Sequence, residues 1–189
     1  MNRPKGLHGP LAALVVSAGL LLSPACGGSD DEPAIGEVAF TPLAPTPGSG
    51  SITMQAGGTS GEVFQIRVAV KDVANFFGAS FHVTYNPASA AFESSSSSGS
   101  FLIGGGVGTS FNAALVAPGD LAVVATRLQN GAGTVPGVAV VEGDLVVLTF
   151  RATAVTSGNV FGFGAPREVD APDGTRLTVL WSGGTLTAR

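Results

Sequence analysis

The sequence predicts an all-β protein, a two-sheet β-sandwich of about nine strands with jelly-roll connections. The first observation is an alternation of apolar and polar side chains that recurs along the chain. The second is that no window carries the apolar stripe of a capped helix. The third is that turn residues separate the alternating segments, as at Asn86-Pro87, Pro118-Gly119-Asp120 and Asp173-Gly174.

Three segments show the alternation most clearly, namely residues 63–71, 79–85 and 145–152. Each places apolar side chains on one face and polar ones on the other, which predicts half-buried strands. Residues 121–128 are apolar on both faces up to Thr126, so the sequence does not show which face of this strand is buried. Weaker strands are predicted at residues 52–55, 90–93, 110–116, 160–163, 177–181 and 185–188.

The N-terminus has the pattern of an export signal. Arg3 and Lys5 precede an apolar run over residues 11–22, too short for a bilayer span, which needs about 20 residues. Small residues then lead to Cys26. We therefore predict a signal peptide over residues 1–25 and an exported protein.

Cys26 is the only cysteine, so an internal disulfide is excluded. Its position after an apolar run and a small residue resembles the lipidated cysteine of bacterial lipoproteins, although Ser23 stands where those proteins usually have leucine. The resemblance implies a lipid anchor on Cys26 that holds the chain at the cell envelope or surface. The alternative is ordinary signal cleavage at the same bond, which gives a secreted protein with a free thiol.

The rest of the chain divides into a tether and one domain. Residues 26–50 are rich in proline, glycine and acidic side chains, which predicts an extended tether. Residues 38–40 are an apolar exception that suits an edge strand. The folded domain is predicted over residues 51–189.

Charge restricts the partners. The net charge of the chain is −4, and loss of Arg3 and Lys5 with the signal peptide makes the mature protein more acidic. Since no basic stretch remains, nucleic acid and anionic lipid headgroups are poor partners, and membrane contact is expected through the lipid anchor alone.

Catalytic chemistry finds no support. His82 is the only histidine after the signal peptide, and it lies on a predicted flat strand with no nucleophile-elbow motif. A catalytic zinc needs more ligands than the chain supplies. Glu168, Asp170 and Asp173 are near enough to share a Ca²⁺, but their spacing fits no EF-hand loop. We predict no enzyme activity, no metal and no cofactor.

The predicted strands and turns occur in a recognisable order: residues 64–70, Val73-Ala74-Asn75, Gly78 to Thr84, Tyr85-Asn86-Pro87, Gly119-Asp120-Leu121, residues 143–150 and residues 177–184. With these segments, residues 52–188 resemble a cohesin domain, the jelly-roll module that docks dockerin domains in cellulosomes. The sharpest part of the resemblance is Tyr85-Asn86-Pro87, where the family usually has Tyr-Asp-Pro.

The resemblance implies a docking face. In cellulosomal cohesins, polar side chains on the outer face of the strand before the Tyr-Asp-Pro turn contact the dockerin. Gly78 and Ser80 stand at the corresponding positions here, so the family's asparagine and aspartate are missing. The expected protein-binding residues, with two from a neighbouring strand, are Ser80, His82, Thr84, Arg127 and Gln129.

The sequence thus favours a non-catalytic module that captures an exported, dockerin-like partner on the cell surface, with a role in polysaccharide degradation. The first alternative is a carbohydrate-binding module that uses Trp181 as a flat platform for a sugar. Tyr85 shares a face with Phe81 and Val83, so it is expected in the core instead. The second alternative is a structural or adhesion domain of the envelope.

Overall fold

The computed structural model describes residues 34–129 and 134–189, in which all regular structure is β. None of these residues forms a helix able to cross a membrane. The predicted signal peptide over residues 1–25 and Cys26 lie outside the described residues. The strands are β1 Val38–Pro42, β2 Ser51–Ser60, β3 Val63–Phe76, β4 Gly78–Thr84, β5 Ala90–Ser96, β6 Thr109–Ala117, β7 Asp120–Arg127, β8 Val138–Ala152, β9 Thr156–Asp170, β10 Leu180–Ser182 and β11 Gly184–Ala188.

The strands build two sheets, which confirms the predicted all-β sandwich. Sheet A has six strands in the order β1-β11-β9-β4-β7-β6, and sheet B has five in the order β10-β2-β3-β8-β5. Neighbouring strands are antiparallel except β10, which is parallel to β2. The described residues form eleven strands, where the sequence predicted about nine. Both short strands at sheet edges, β1 and β10, overlap segments that the sequence marks as weak or edge strands.

Strand β1 corrects the predicted domain boundary. It pairs with β11 from Val38↔Ala188 to Pro42↔Gly184. Val38 and Phe40 are buried in the core, which explains why the apolar exception in the predicted tether folds onto the sheet. Residues 38–42, predicted as part of the tether, therefore belong to sheet A, and the folded domain begins before residue 51.

The core between the sheets is held by a cluster of aromatic rings. The ring of Phe161 on sheet A lies 5.1 Å from that of Phe150 and 5.9 Å from that of Phe64, both on sheet B, in edge-to-face geometry. Tyr85 stacks on Phe161 at 5.2 Å, so it lies in the core as its position in the alternation predicts. These rings join the inner faces of the two sheets.

The structure settles the orientation of β7. Leu121, Val123 and Ala125 are buried, whereas Val124 is 42% exposed. The odd-numbered row of β7 therefore faces the core, and the even-numbered row lies on the outer face of sheet A.

Arg127 belongs to that inward row, so its predicted place on a docking face was wrong. It is only 9% exposed. Its guanidinium donates from Nη1 to the carbonyl oxygen of Pro136 at 2.8 Å and from Nη2 to that of Gly104 at 3.1 Å. Arg127 therefore fastens two loops at the end of β7 and presents no charge to a partner.

Strand β9 is much longer than the predicted residues 160–163. Its pairing with β4 shifts between Phe81↔Arg167 and His82↔Gly164, so a bulge that contains Pro166 interrupts the strand without ending it. Beyond the bulge, Asp170 still pairs with Gly78. The second half of β9 thus extends sheet A.

Trp181 on β10 packs toward the core. Its ring lies 5.7 Å from that of Phe81 and 4.8 Å from that of Phe163. A sugar platform needs an open ring face, whereas this ring is partly buried against two phenylalanines. The structure therefore gives Trp181 a packing role in place of the predicted carbohydrate platform.

We predict that Tyr85 ionises only at unusually alkaline pH. Burial raises the pKa of its phenol, while a hydrogen bond with the backbone of Phe92 opposes the shift. Because the folded-state pKa exceeds the unfolded value of about 10, the associated stability is present below that pH. It is lost as the pH rises through the folded-state pKa.

The only tyrosine of the chain allows a direct measurement. Phenolate absorbance should titrate with a higher midpoint in the folded protein than in the same chain unfolded in guanidinium. Equal midpoints in the two states would contradict the buried position of Tyr85.

Candidate functional site

Paired charges cover the outer face of sheet B. Ion pairs connect its strands: Arg67 with Asp144 at 3.0 Å, Lys71 with Glu142 at 3.4 Å, and Arg151 with Glu93 at 2.6 Å and with Glu62 at 3.3 Å. The pKa of Arg151 is raised by its hydrogen bond to Glu93, by the charge of Glu93 and by its bond to Glu62. These solvent-exposed pairs contribute little to stability and keep the face hydrated.

The outer face of sheet A is different, because small and mostly uncharged side chains cover it. We call this surface face A. It is formed by the outward rows of β9, β4, β7 and β6, which the strand registers place side by side. Its members are Gly162, Gly164, Glu168, Asp170, Gly78, Ser80, His82, Thr84, Asp120, Ala122, Val124, Thr126, Ser110, Asn112 and Ala114. Most of these side chains are short, so face A is flat, and its acidic members lie at its two ends.

The predicted residues Ser80, His82 and Thr84 lie together on β4, in the middle of face A. Their shared orientation follows from the alternation, because Phe81 and Val83 between them are buried. The sequence therefore identified which row of this strand faces outward.

His82 is held by a partner that the sequence did not reveal. Its Nδ1 lies 2.6 Å from Oδ1 of Asp120. Since a carboxylate only accepts hydrogen bonds, the Nδ1–H of His82 is the donor. The register that pairs Thr84 with Asp120 brings the two groups together. This pair fixes the imidazole ring, and its Nε2 is the ring nitrogen left for another contact.

Face A ends in an acidic corner on the second half of β9. Nε of Arg176 lies 3.0 Å from Oδ1 of Asp170, and its Nη1 also contacts Glu168. The pKa of Arg176 is raised, chiefly by the hydrogen bond to Glu168. Two carboxylates thus face one guanidinium, which leaves this corner negative.

The acidic residues do not form the calcium site that their spacing allowed. Glu168 and Asp170 bind Arg176, while Asp173 accepts a hydrogen bond of 3.0 Å from the backbone N–H of Thr175. That backbone bond lowers the pKa of Asp173. Across residues 34–129 and 134–189, no group of three or more histidine, cysteine or acidic side chains could hold a metal ion.

A shallow groove of about 510 Å³ lies at the same end of face A. Ser80 and Val124 form its floor beside Pro172 and Arg176. Gln129 borders it, donating to the carbonyl oxygen of Pro172 at 3.5 Å and accepting 2.8 Å from the N–H of Val135. Gln129 is thus near the predicted face, but it also fastens the loop that follows β7.

Gly78 explains one departure from the usual cohesin pattern. A Cβ atom at this position would lie 2.6 Å from Oγ1 of Thr126 and 3.2 Å from the carbonyl oxygen of Ala125. A larger side chain would need β7 to move, so the polar residue expected from the resemblance does not fit here. On β4, the polar side chains of face A are therefore Ser80, His82 and Thr84.

The comparisons agree with this architecture. The family model described as Cohesin domain matches residues 49–165. A type II cohesin domain from the cellulosome of Acetivibrio cellulolyticus is similar in structure, with a TM-score of 0.57 at 15% identity over 74% of this chain and 95% of that one. No curated protein matches the chain.

Two further solved structures show the same fold. The cohesin module from a Clostridium perfringens family 33 glycoside hydrolase has a TM-score of 0.55 at 14% identity, over 79% of this chain and 97% of that one. The sixth cohesin from scaffoldin B of Acetivibrio cellulolyticus, solved in complex with a mutant Cel5 dockerin, has a TM-score of 0.53 at 17% identity, over 71% and 96%. Because the family model matches residues 49–165 and the structure is a two-sheet sandwich, this chain belongs to the cohesin domain family.

Proposed function

We propose that this chain is a non-catalytic docking module and that face A binds a dockerin-bearing exported protein. The observation that carries the proposal is the flat surface of short side chains on β9, β4, β7 and β6 of a cohesin-family sandwich, whose charged groups lie at its two ends. The scaffoldin B cohesin with a similar fold was solved with a dockerin bound, which supports a partner of the same kind.

The cost of removing water favours face A over the outer face of sheet B. Docking on sheet B would bury groups such as Arg67, Asp144 and Arg151, and desolvation of charged groups carries a large penalty. Glycine, alanine, serine and threonine carry no charge and have little side-chain entropy to lose. Docking on face A therefore costs less desolvation and side-chain entropy than docking on sheet B, so more of the interaction free energy remains as binding free energy.

The polar groups on face A set which partner fits. Ser80 and Thr84 offer hydroxyl groups on either side of His82, whose ring Asp120 already orients. Asparagine and aspartate side chains of the usual kind are missing from this row. The partner is therefore expected to differ in its contact residues from the dockerins of cellulosomal cohesins.

The acidic corner gives the partner an orientation. Glu168 and Asp170 carry more negative charge than Arg176 neutralises. A lysine or arginine on the partner would be attracted to this end of face A, and such attraction mainly raises the association rate and fixes the register. At the other end, near Thr84, the single carboxylate of Asp120 is paired with His82.

The proposal includes a place in the cell. A signal peptide over residues 1–25 and a lipid on Cys26 would hold the domain at the envelope, with a short tether before β1. The partner would then be an exported protein, and capture at the surface suits a role in polysaccharide degradation. The module from a glycoside hydrolase and the cellulosomal cohesins with a similar fold support this role.

Val124→Arg should disrupt docking. Val124 lies at the centre of face A and is 42% exposed, so a long charged side chain would hold a partner away without disturbing the core. We expect the Kd to rise at least about tenfold, which corresponds to about 1.4 kcal/mol. The probe is a purified dockerin module encoded in the same genome, titrated by calorimetry.

Val141→Arg is the matched control, because Val141 is 76% exposed on β8 of sheet B. It should bind like the unmodified protein, and thermal melting checks that both variants fold. If both variants lose affinity equally, or if Val124→Arg binds as tightly as the unmodified protein, docking does not take place on face A. If no dockerin from the genome binds the unmodified protein, the proposed partner class is wrong.

The lipid anchor predicts a specific N-terminus. Intact-mass analysis of the detergent-extracted protein should show a chain that starts at Cys26 and carries acyl groups. Cys26→Ser should release the protein from the membrane fraction, whereas Ser29→Ala, three residues further on, should not. An unmodified thiol at Cys26 would contradict the anchor and favour the secreted alternative.

A further inference from the structure

The outer edge of β6 is the least protected strand edge in the described part of the fold. β6 pairs with β7 on one side, and no strand in residues 34–129 and 134–189 pairs with its other side. Its sequence, Thr-Ser-Phe-Asn-Ala-Ala-Leu-Val-Ala, contains neither a charge nor a proline. Such an edge is a template for another strand, and proteins usually protect it.

The other three sheet edges carry such protection. β1 ends in Pro42, and β10 has three residues. β5 carries Glu93 and has a register shift between Phe92 and Ser94. In β6 the register shift lies at the end of the strand, after Leu115, so that residues 109–115 form a regular edge.

An exposed apolar surface adjoins this edge. A groove of about 440 Å³ opens between β5 and β6, lined by Phe92, Leu115 and Val116 among others. Leu115 is 50% exposed and Val116 is 58% exposed. Apolar side chains beside an unpaired edge indicate a surface that is covered in an assembly.

We propose that β6 pairs antiparallel with β6 of a second copy of this chain, which joins the two copies of sheet A into one continuous sheet. This pairing does not rest on the proposed docking function. A two-fold axis through Ala113 would place Phe111 opposite Leu115 of the other copy and Asn112 opposite Ala114.

The backbone of β6 is in the correct phase for this pairing. The N–H of Leu128 donates to the carbonyl oxygen of Gly108 at 2.8 Å, which fixes the alternation of bonds along the β6–β7 ladder. Even-numbered residues of β6 bond to β7, so the N–H and C=O groups of Phe111, Ala113 and Leu115 point to the open edge. These are the groups that a two-fold pair centred on Ala113 would join.

The composition of the β6 edge suits a second copy as the occupant. In a two-fold interface, residue i of one copy contacts residue j of the other, and j contacts i. The pairs centred on Ala113 are therefore alanine with alanine and phenylalanine with leucine, so the edge is complementary to itself and brings no charges together. Because the chain has a net charge of −4, this uncharged edge is also where two copies approach with the least repulsion.

The pairing would set two docking faces side by side. The two-fold axis of an antiparallel strand pair is perpendicular to the sheet, so face A of each copy lies on the same side. If face A docks a partner as proposed above, the dimer would hold two partners, or one with two docking segments, with a gain from the high effective concentration.

Sedimentation equilibrium tests the pairing on the mature chain carrying Cys26→Ser, which avoids the lipid. Between about 1 and 200 μM, the average mass should rise from one chain toward two, since strand-edge interfaces of modest area bind in the micromolar range. Leu115→Lys should weaken association at least about tenfold, because it introduces a charge opposite Phe111 of the other copy. Ala113→Pro should do the same, because it removes the N–H donor on the axis.

Leu180→Lys is the matched control, since Leu180 is 69% exposed on the edge strand β10 of the other sheet. It should dimerise like the parent chain. A parent chain that stays monomeric to 200 μM, a dimer that Leu115→Lys leaves intact, or equal loss in Leu180→Lys would each overturn the proposal. If Ala113→Pro does not fold, as judged by thermal melting, Leu115→Lys decides alone. If the parent is monomeric and a bound dockerin slows amide exchange along β6, the partner is the occupant of this edge.

Discussion

Burial of one row of side chains from most of the long strands is the constraint on which the rest of the structure depends. Phe64, Phe150 and Phe161 interlock between the sheets, so each strand must keep its apolar row inward. A shift of one residue would expose these rings, and the register is therefore strongly specified. Once the inner rows are fixed, the outer rows do not contact one another across the sandwich, so the two outer faces can serve different purposes.

The flatness of face A is built into the same registers. A Cβ on Gly164 would lie 2.9 Å from Cγ2 of Thr84 and 3.2 Å from Cβ of His82. Glycine at this position lets the β4 side chains lie close to β9, and Gly78 does the same beside Thr126. The face is thus limited to short side chains by the approach of its own strands, while cross-strand ion pairs such as Arg67–Asp144 cover sheet B.

The fold was predictable where the alternation is unambiguous, and the site only in part. Residues 79–85 have one clearly apolar row, so Tyr85 and the outward row of β4 followed from the sequence. Residues 121–128 have two apolar rows, and only the sheet shows that Arg127 faces inward. The partnership of His82 with Asp120 depends on the β4–β7 register, which no short sequence pattern encodes. The second half of β9 was also missed, because the bulge at Pro166 interrupts the alternation and only pairing with β4 shows that the strand continues.

Face A and the β6 edge share one strand, yet they use different groups of it. Ser110, Asn112 and Ala114 contribute their side chains to face A, and their backbone groups are taken by β7. The open edge uses the backbone of the intervening residues, of which Phe111 and Ala113 pack against the core while Leu115 is 50% exposed beside the edge. Pairing of two copies would therefore remove nothing that a partner on face A needs. Because side-chain direction and hydrogen-bond direction both alternate along a strand, β6 can take part in docking and in self-association at the same time.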